Sequence, residues 1–354
     1  MKIRVAVCQV DMEWEHTARN LERLEPIVAA ADADIAVLPE MFATGFKLRP
    51  ACVAEPADGL VVTTMRRWAA QYGRAVVGSV VVAEQERFRN RMFFVKPSGE
   101  TAWYDKRHLF RPGGEARDYT PGDRRVVVEY MGFRFLLLIC YDLRFPVWSR
   151  NRGDYDAILC SASWADDRRE VWRTLLRARA IENQCYLAGV NRVGTDPDAF
   201  YAGDSALVDF RGATLADAGE REQTLVAEFD SEAQAAFREE FFRTEHPERC
   251  RKHVSSIERG ASCKRLCMYL KWMVRDDGRG VDFGLWKSIP PAALYLPLDV
   301  HTGHMGRALG LLARKQNDWK AVEEITASLR TLDASDPVKY DFALFGAGID
   351  GFLK

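Results

Sequence analysis

Four side chains have the types and positions to do chemistry together. Glu40 follows the apolar run IAVLP, Lys106 and Glu115 lie within WYDKRHLFRPGGE, and Cys140 closes FLLLIC. Each of these three segments puts a polar or reactive residue at the end of an apolar run, with Glu115 in the loop that follows, and strand ends are where layered α/β proteins display reactive groups. A cysteine attacks as a thiolate, and a strand end leading into a helix N-terminus favours that form. A neighbouring carboxylate can take the thiol proton and later activate water. A lysine ammonium can bind the oxyanion that develops at an attacked carbonyl. Cysteine, glutamate and lysine without a catalytic histidine suit acyl transfer through a thioester. Residue type alone leaves the bland alternative open, because a cysteine ending an apolar strand is most often a small core hydrophobe. Cys8, Cys160 and Cys185 are read that way.

The surrounding pattern supplies elements to position these groups. Runs rich in β-branched residues read as strands: IRVAVCQV, DIAVLP, AVVGSVVV, FRFLLLICY, DAILCSAS, CYLAGVNRV and TLVAEFD. Apolar spacing of three and four predicts helices over Thr17–Ala31, Val61–Tyr72 and Glu170–Asn183. RFRNRMFFVKPSGETAWYDK reads as two strands around a Pro-Ser-Gly turn. Strands apolar throughout, such as LLLIC, predict a sheet covered on both faces.

Near Phe237 the rhythm changes, and from Ser262 onward it is helical. Asp318 before Trp319, and Asp336 before Pro337, are N-cap signals. The expected organisation is a domain over 1–241, a junction over 242–262 and a helical segment over 263–354. The 354 residues are 47% hydrophobic and 29% charged, which excludes a disordered chain. Fifty Lys+Arg against 51 Asp+Glu leave a net charge of −1, which argues against wholesale coating of nucleic acid. MKIRVAVCQV enters a strand directly, and no apolar run reaches the roughly 18–20 residues of a membrane helix. The eight cysteines contain no CxxC pair and are read as reduced thiols of a cytoplasmic protein. No metal and no membrane partner is expected.

The segments AVCQVDMEWE, LPEMFATGF, YDKRHLF, ICYDLRFPVWSRN, RARAIENQCYLAGVNRVG and YAGDS resemble the nitrilase (carbon–nitrogen hydrolase) superfamily from Met1 to about Phe241. The resemblance implies an α/β fold, a four-layer αββα sandwich, and no cofactor. It implies Glu40 as general base, Lys106 as oxyanion stabiliser and Cys140 as nucleophile. Glu115 matches the family's second glutamate, which positions the lysine and the substrate amine, and the Tyr141 backbone N–H completes the oxyanion hole. It further implies a homo-oligomer, a dimer or larger. Within the superfamily, PEMFATGF and CYDLRFPVWSRN look most like the bacterial ω-amidase branch, which hydrolyses the terminal amide of 2-oxoglutaramate and related 2-oxo acid amides. Other carbon–nitrogen hydrolase substrates, N-carbamoyl amino acids or aliphatic amides, are the alternatives. A carboxylate-bearing substrate calls for a cation, for which Arg144 and Arg179 are candidates; ion pairs with Asp142 or Glu182 are the structural alternative. One departure falls beside the expected pocket: WADDRREVW stands where related amidases commonly have a Trp-Pro turn.

From about Arg251 the words RKHVSSIERGASCKRLCMYLKWMVR, VDFGLW and DPVKYDFALFGAG resemble the C-terminal half of an uncharacterised bacterial family. LDVHTGHMGRALGLL is also similar to the Asp-containing helix entry of helix-hairpin-helix DNA glycosylases, which implies Asp299 as a base-excision carboxylate and a DNA-processing alternative. Against that reading, the segment lacks the half of the fold that grips DNA, and its cysteine spacing does not match the iron–sulfur loop of those enzymes. A non-catalytic helical remnant of a gene fusion is the expectation.

Overall fold

The structure, a computed structural model, describes residues 1–46, 49–243, 255–278 and 280–350. The chain divides into two compact units, Met1–Arg243 and Thr244–Lys354.

In the first unit the chain runs β1 (Lys2–Gln9), α1 (Thr17–Ala30), β2 (Ile35–Val37), α2 (Leu60–Tyr72), β3 (Ala75–Glu84), β4 (Arg87–Val95) and β5 (Thr101–Asp105). It continues through β6 (Val127–Tyr130), β7 (Phe133–Ile139), α3 (Pro146–Ser149), β8 (Ala157–Ala162), α4 (Arg169–Asn183) and β9 (Tyr186–Asn191). The short strands β10 (Val193–Thr195), β11 (Phe200–Ala202), β12 (Ala206–Val208) and β13 (Thr214–Asp217) precede β14 (Gln223–Asp230) and α5 (Ser231–Arg243).

These strands form two mixed six-stranded sheets, ordered β14-β1-β2-β3-β4-β5 and β13-β12-β9-β8-β7-β6. Each has a parallel centre, β1-β2-β3 in one and β7-β8-β9 in the other, flanked by antiparallel strands. The sheets face each other across one core, where Val5, Val7, Ile35 and Val37 of the first meet Phe135, Leu137 and Ile139 of the second. Helices α1 and α2 cover the outer face of the first sheet through Leu21, Leu24, Val28, Val62, Met65 and Trp68. Trp172, Leu176 and Ala180 of α4 pack against the second. The result is a four-layer αββα sandwich, the architecture expected from the sequence. The apolar run of β7 is buried at six of its seven positions, as a strand covered on both faces must be. β4 and β5 form the expected hairpin, closed by Lys96 N–H donating to Glu100 O at 2.9 Å.

Helix α5 runs on to Arg243, slightly past the expected domain end. Residues 244–254 of the expected junction lie outside the described residues. Residues 256–261 already belong to the second unit, where Ala261 bridges Asp318 and Trp319 N–H donates to Gly260 O at 2.9 Å.

The second unit contains α6 (Lys264–Val274), α7 (Val300–Ala308), α8 (Trp319–Leu332) and α9 (Asp341–Asp350). Its core gathers Leu296, Leu298, Met305, Val322, Ile325, Leu329 and Leu344. Asp318 caps α8 by accepting from Ala321 N–H. Asp336 does not cap with its side chain; Pro337 opens a 3-10 turn there, and the Asp336 carboxylate instead accepts from Arg275 Nε at 2.7 Å. No helix among the described residues is long and apolar enough to cross a membrane.

Candidate active site

The ends of β2 and β8, from opposite sheets, are stitched together. Ser161 Oγ donates to Leu38 O at 2.7 Å, and Glu40 N–H donates to Ala162 O at 3.3 Å. Ser163 then holds the Glu40 residue from both sides: its N–H donates to Glu40 Oε2 at 2.9 Å and its Oγ to Glu40 O at 3.1 Å. Glu40 is fully buried.

Lys106 follows β5 and is also buried, at 1% exposure. Its Nζ lies 2.8 Å from Glu40 Oε1 and 2.9 Å from Glu115 Oε2. Glu115 is held in turn by Phe110 N–H at 2.6 Å. Asn90 on β4 donates through Nδ2 to Glu40 Oε1 at 2.7 Å and to Glu115 Oε1 at 3.1 Å. The backbone around the lysine is fixed by close approach: Gly122 N–H donates to Lys106 O at 2.9 Å, and a Cβ at Gly122 would sit 2.4 Å from Asp105 O.

Cys140 occupies the turn between β7 and a 3-10 helix over Cys140–Arg144, with φ at +46°. A left-handed conformation at a non-glycine residue is strained and persists only where its surroundings impose it. Asp142 does so here, accepting from Ile139 N–H at 3.1 Å, Tyr104 OH at 2.8 Å and His108 N–H at 2.8 Å. Tyr104 and His108 flank Lys106 in sequence, so one buried carboxylate ties the cysteine turn to the lysine segment.

Electrostatics follow from this burial. Desolvation alone would lower Lys106, but Glu115 and Glu40 overrule it and hold the ammonium well above the ordinary lysine value. Glu115 is pushed up by burial, with Lys106 opposing and Glu40 adding to the rise. Burial, reinforced by the Glu40 charge, raises Cys140 well above an ordinary thiol, with Lys106 opposing. The expected helix-terminus effect therefore does not make a resting thiolate; the thiol keeps its proton beside a carboxylate able to take it. Such an arrangement can deliver a thiolate at the moment of attack and return the proton to a leaving amine.

A cavity of about 660 Å³ opens onto Lys106, Cys140, Tyr141 and Ser163. Its walls are Phe46, Phe110, Gly113, the Trp164–Arg168 loop and the β10–β11 hairpin residues Asp196 and Asp198–Tyr201. The Tyr141 N–H lies in the first turn of the 3-10 helix, where N–H groups have no partner within the helix. Neither Arg144 nor Arg179 lines the cavity. Arg144 is exposed, with its guanidinium 6.0 Å from the Tyr141 ring centre, and buried Arg179 pairs with Glu182 at 2.9 Å. Among the described residues, the cation that lines the cavity beside Lys106 is Arg168, from the loop where the sequence departs from its resemblance. Asn90 also went unanticipated from sequence. It lies inside a strand, and the sole trace of it there is a polar residue between arginines in RFRNRMFFV.

The family model described as carbon–nitrogen hydrolase matches residues 4–239, and the chain belongs to that family. Residues 212–350 match a second model, described as a protein of unknown function, DUF2400. The chain is 42% identical to the ω-amidase YafV of Yersinia enterocolitica over 243 residues, 68% of this chain and 94% of that protein. It is 33% identical to the 2-oxoglutaramate amidase of Bacillus subtilis over 246 residues, covering 68% of this chain and 95% of the relative. Among solved structures it is similar to XC1258 of Xanthomonas campestris, a CN-hydrolase superfamily protein with an arsenic adduct in its active site. That similarity has a TM-score of 0.67 and 38% identity, covering 72% of this chain and 98% of the other. Within its family, this chain is an ω-amidase-like amidase.

Proposed function

We propose that the chain hydrolyses the terminal amide of a small 2-oxo acid amide of the 2-oxoglutaramate type to a carboxylate and ammonia. The observation that carries the chemistry is the buried contact of Lys106 Nζ with both Glu40 and Glu115, with Lys106 and Cys140 both lining the cavity. The similarity to ω-amidases supports the substrate class.

In this reading Cys140 Sγ attacks the amide carbon as Glu40 takes the thiol proton. The oxyanion forms against the Lys106 ammonium and the Tyr141 N–H. Collapse breaks the carbon–nitrogen bond, and the proton held by Glu40 leaves with the amine as ammonia. Water, deprotonated by Glu40, then hydrolyses the thioester and restores the thiol. Glu115 keeps Lys106 charged and aimed. The need for a free thiol suits a cytoplasmic setting, and pairing of copies, as in the family, is part of the same reading.

Ammonia release from 2-oxoglutaramate, 2-oxosuccinamate, glutamine, an N-carbamoyl amino acid and a simple nitrile tests the assignment. The 2-oxo acid amides should give the highest kcat/KM. Preference for the carbamoyl compound or the nitrile would overturn it.

A further inference from the structure

We infer that Arg168 is the residue that selects the substrate, by receiving the carboxylate at the end of the amide remote from Cys140. This inference rests on the carboxylate-bearing substrate proposed above. Among the described residues lining the cavity, the side chains carrying positive charge are Lys106 and Arg168. Lys106 is already committed to two buried carboxylates at 2.8 and 2.9 Å. Among the described lining residues, that leaves Arg168 to meet an anionic substrate.

Arg168 is also built into the wall. Its guanidinium lies 4.7 Å from the centre of the Phe110 ring, and its backbone oxygen accepts from Trp164 Nε1 at 2.8 Å. Phe110 connects it to the reacting groups: the Phe110 N–H holds Glu115 at 2.6 Å, and its ring meets the Tyr141 ring edge-on at 5.1 Å. A planar guanidinium on an aromatic face is preorganised for two parallel hydrogen bonds to a carboxylate. In the structure its Nη1 donates instead to Asp167 Oδ2 at 2.9 Å, a half-open pair with the aspartate 67% exposed. So exposed a partner is easily exchanged, and a substrate carboxylate entering the cavity takes its place. The rim residue Asp167 acts as a competing counter-ion that weakens binding of every anion.

The test measures kcat and KM for 2-oxoglutaramate and for the neutral amide pentanamide in the wild type, Arg168→Ala, Arg168→Lys and Asp167→Asn. Arg168→Ala should raise KM for 2-oxoglutaramate roughly 10- to 100-fold, the scale of a lost charged hydrogen bond. Its kcat, and both constants for pentanamide, should stay close to wild type. Arg168→Lys should recover part of the loss, and Asp167→Asn should lower KM for the anionic amide alone. Equal damage to both amides in Arg168→Ala, or damage to neither, overturns the inference. A wild type that turns over pentanamide but not 2-oxoglutaramate sinks the substrate proposal instead. In that case Arg168 is judged by 2-oxoglutarate as an inhibitor of pentanamide turnover, and equal inhibition of wild type and Arg168→Ala rules it out.

Discussion

Asn90 on β4, whose backbone oxygen accepts from Lys106 N–H at 2.9 Å, donates through its side-chain nitrogen to Glu40 at 2.7 Å and to Glu115 at 3.1 Å. Its side-chain oxygen, Oδ1, finds no donor among the described residues. Turning the amide over would satisfy nothing and would aim that oxygen at two carboxylates, so the orientation is dictated by charge. Asn90→Asp should therefore be worse than Asn90→Ala. The alanine removes a donor and should lower kcat roughly tenfold, whereas the aspartate adds a third carboxylate around one ammonium. A rank order of kcat with aspartate at or above alanine would show that Asn90 does not serve the charge balance.

Cys140→Ala should abolish turnover while leaving the thermal midpoint near wild type, since it removes the nucleophile and relieves no contact larger than one sulfur atom. Cys140→Ser should be nearly as inactive, because a hydroxyl is a far poorer nucleophile at neutral pH. Measurable ammonia release by purified Cys140→Ala would remove the thioester from the mechanism.

Lys106→Ala should lower kcat by roughly 10²–10³ or more, the scale for losing an oxyanion donor. It also leaves Glu40 and Glu115 facing each other in a buried site, so a loss of stability should accompany the loss of rate. Lys106→Arg should not rescue activity: a planar fork cannot replace a compact ammonium held by carboxylates at 2.8 and 2.9 Å. Near-normal kcat in either variant would move the oxyanion role to other groups.

Much of this site is legible in the sequence, for a physical reason. Apolar runs covered on both faces, such as FRFLLLI, stand out because burial forbids alternation, and the polar residues at their ends stand out against them. Glu40, Lys106 and Cys140 are found that way, as is the strand–helix rhythm of the sandwich. β6 and β10–β13 are not, since strands of three or four residues carry too little periodicity. Arg168 escapes for a different reason. From the arginine-rich stretch Arg168 to Arg179 the sequence points to Arg179, which α4 instead turns toward Glu182, while Arg168 precedes the helix. Helix-terminus logic also leaves out the burial that raises the Cys140 thiol and the Glu40 charge that adds to it.

Alkaline stability should report the buried thiols. Burial raises Cys8 from the ordinary 9.0 to about 11. Between those values the folded chain keeps a proton that the unfolded chain releases, so folding stability falls as pH rises. The contribution of Cys8 is fully present below pH 9.0 and fades towards about 11, amounting to about 2–3 kcal/mol across that window. The thermal midpoint should drop over this range, and Cys8→Ala, whatever its effect at pH 7, should make the drop shallower. An unchanged slope in Cys8→Ala would mean that the thiol titrates alike in both states.

Cutting the chain after Arg243 should leave an active amidase. The first compact unit ends there, α5 is complete, and every described residue lining the cavity precedes Tyr201 or is Tyr201 itself. Both six-stranded sheets are complete by Asp230, so among the described residues the cut removes no sheet strand and no cavity-lining group. The expected result is kcat/KM for 2-oxoglutaramate within about twofold of the full chain, since removing residues outside a folded unit disturbs little of its core. A large loss would show that residues 244–354 contribute to the site or to assembly of copies. The same cut tests the helical segment. Asp299 there caps α7 through Thr302 N–H and pairs with Lys264 Nζ at 2.8 Å, and both contacts draw its carboxylate below the usual aspartate range against the opposing effect of burial. A carboxylate so occupied serves the helix, and residues 251–354 should release no base from uracil-containing, oxidised or alkylated duplex DNA. Base release by that segment, lost in Asp299→Asn, would instead make Asp299 a catalytic residue and the second unit an enzyme in its own right.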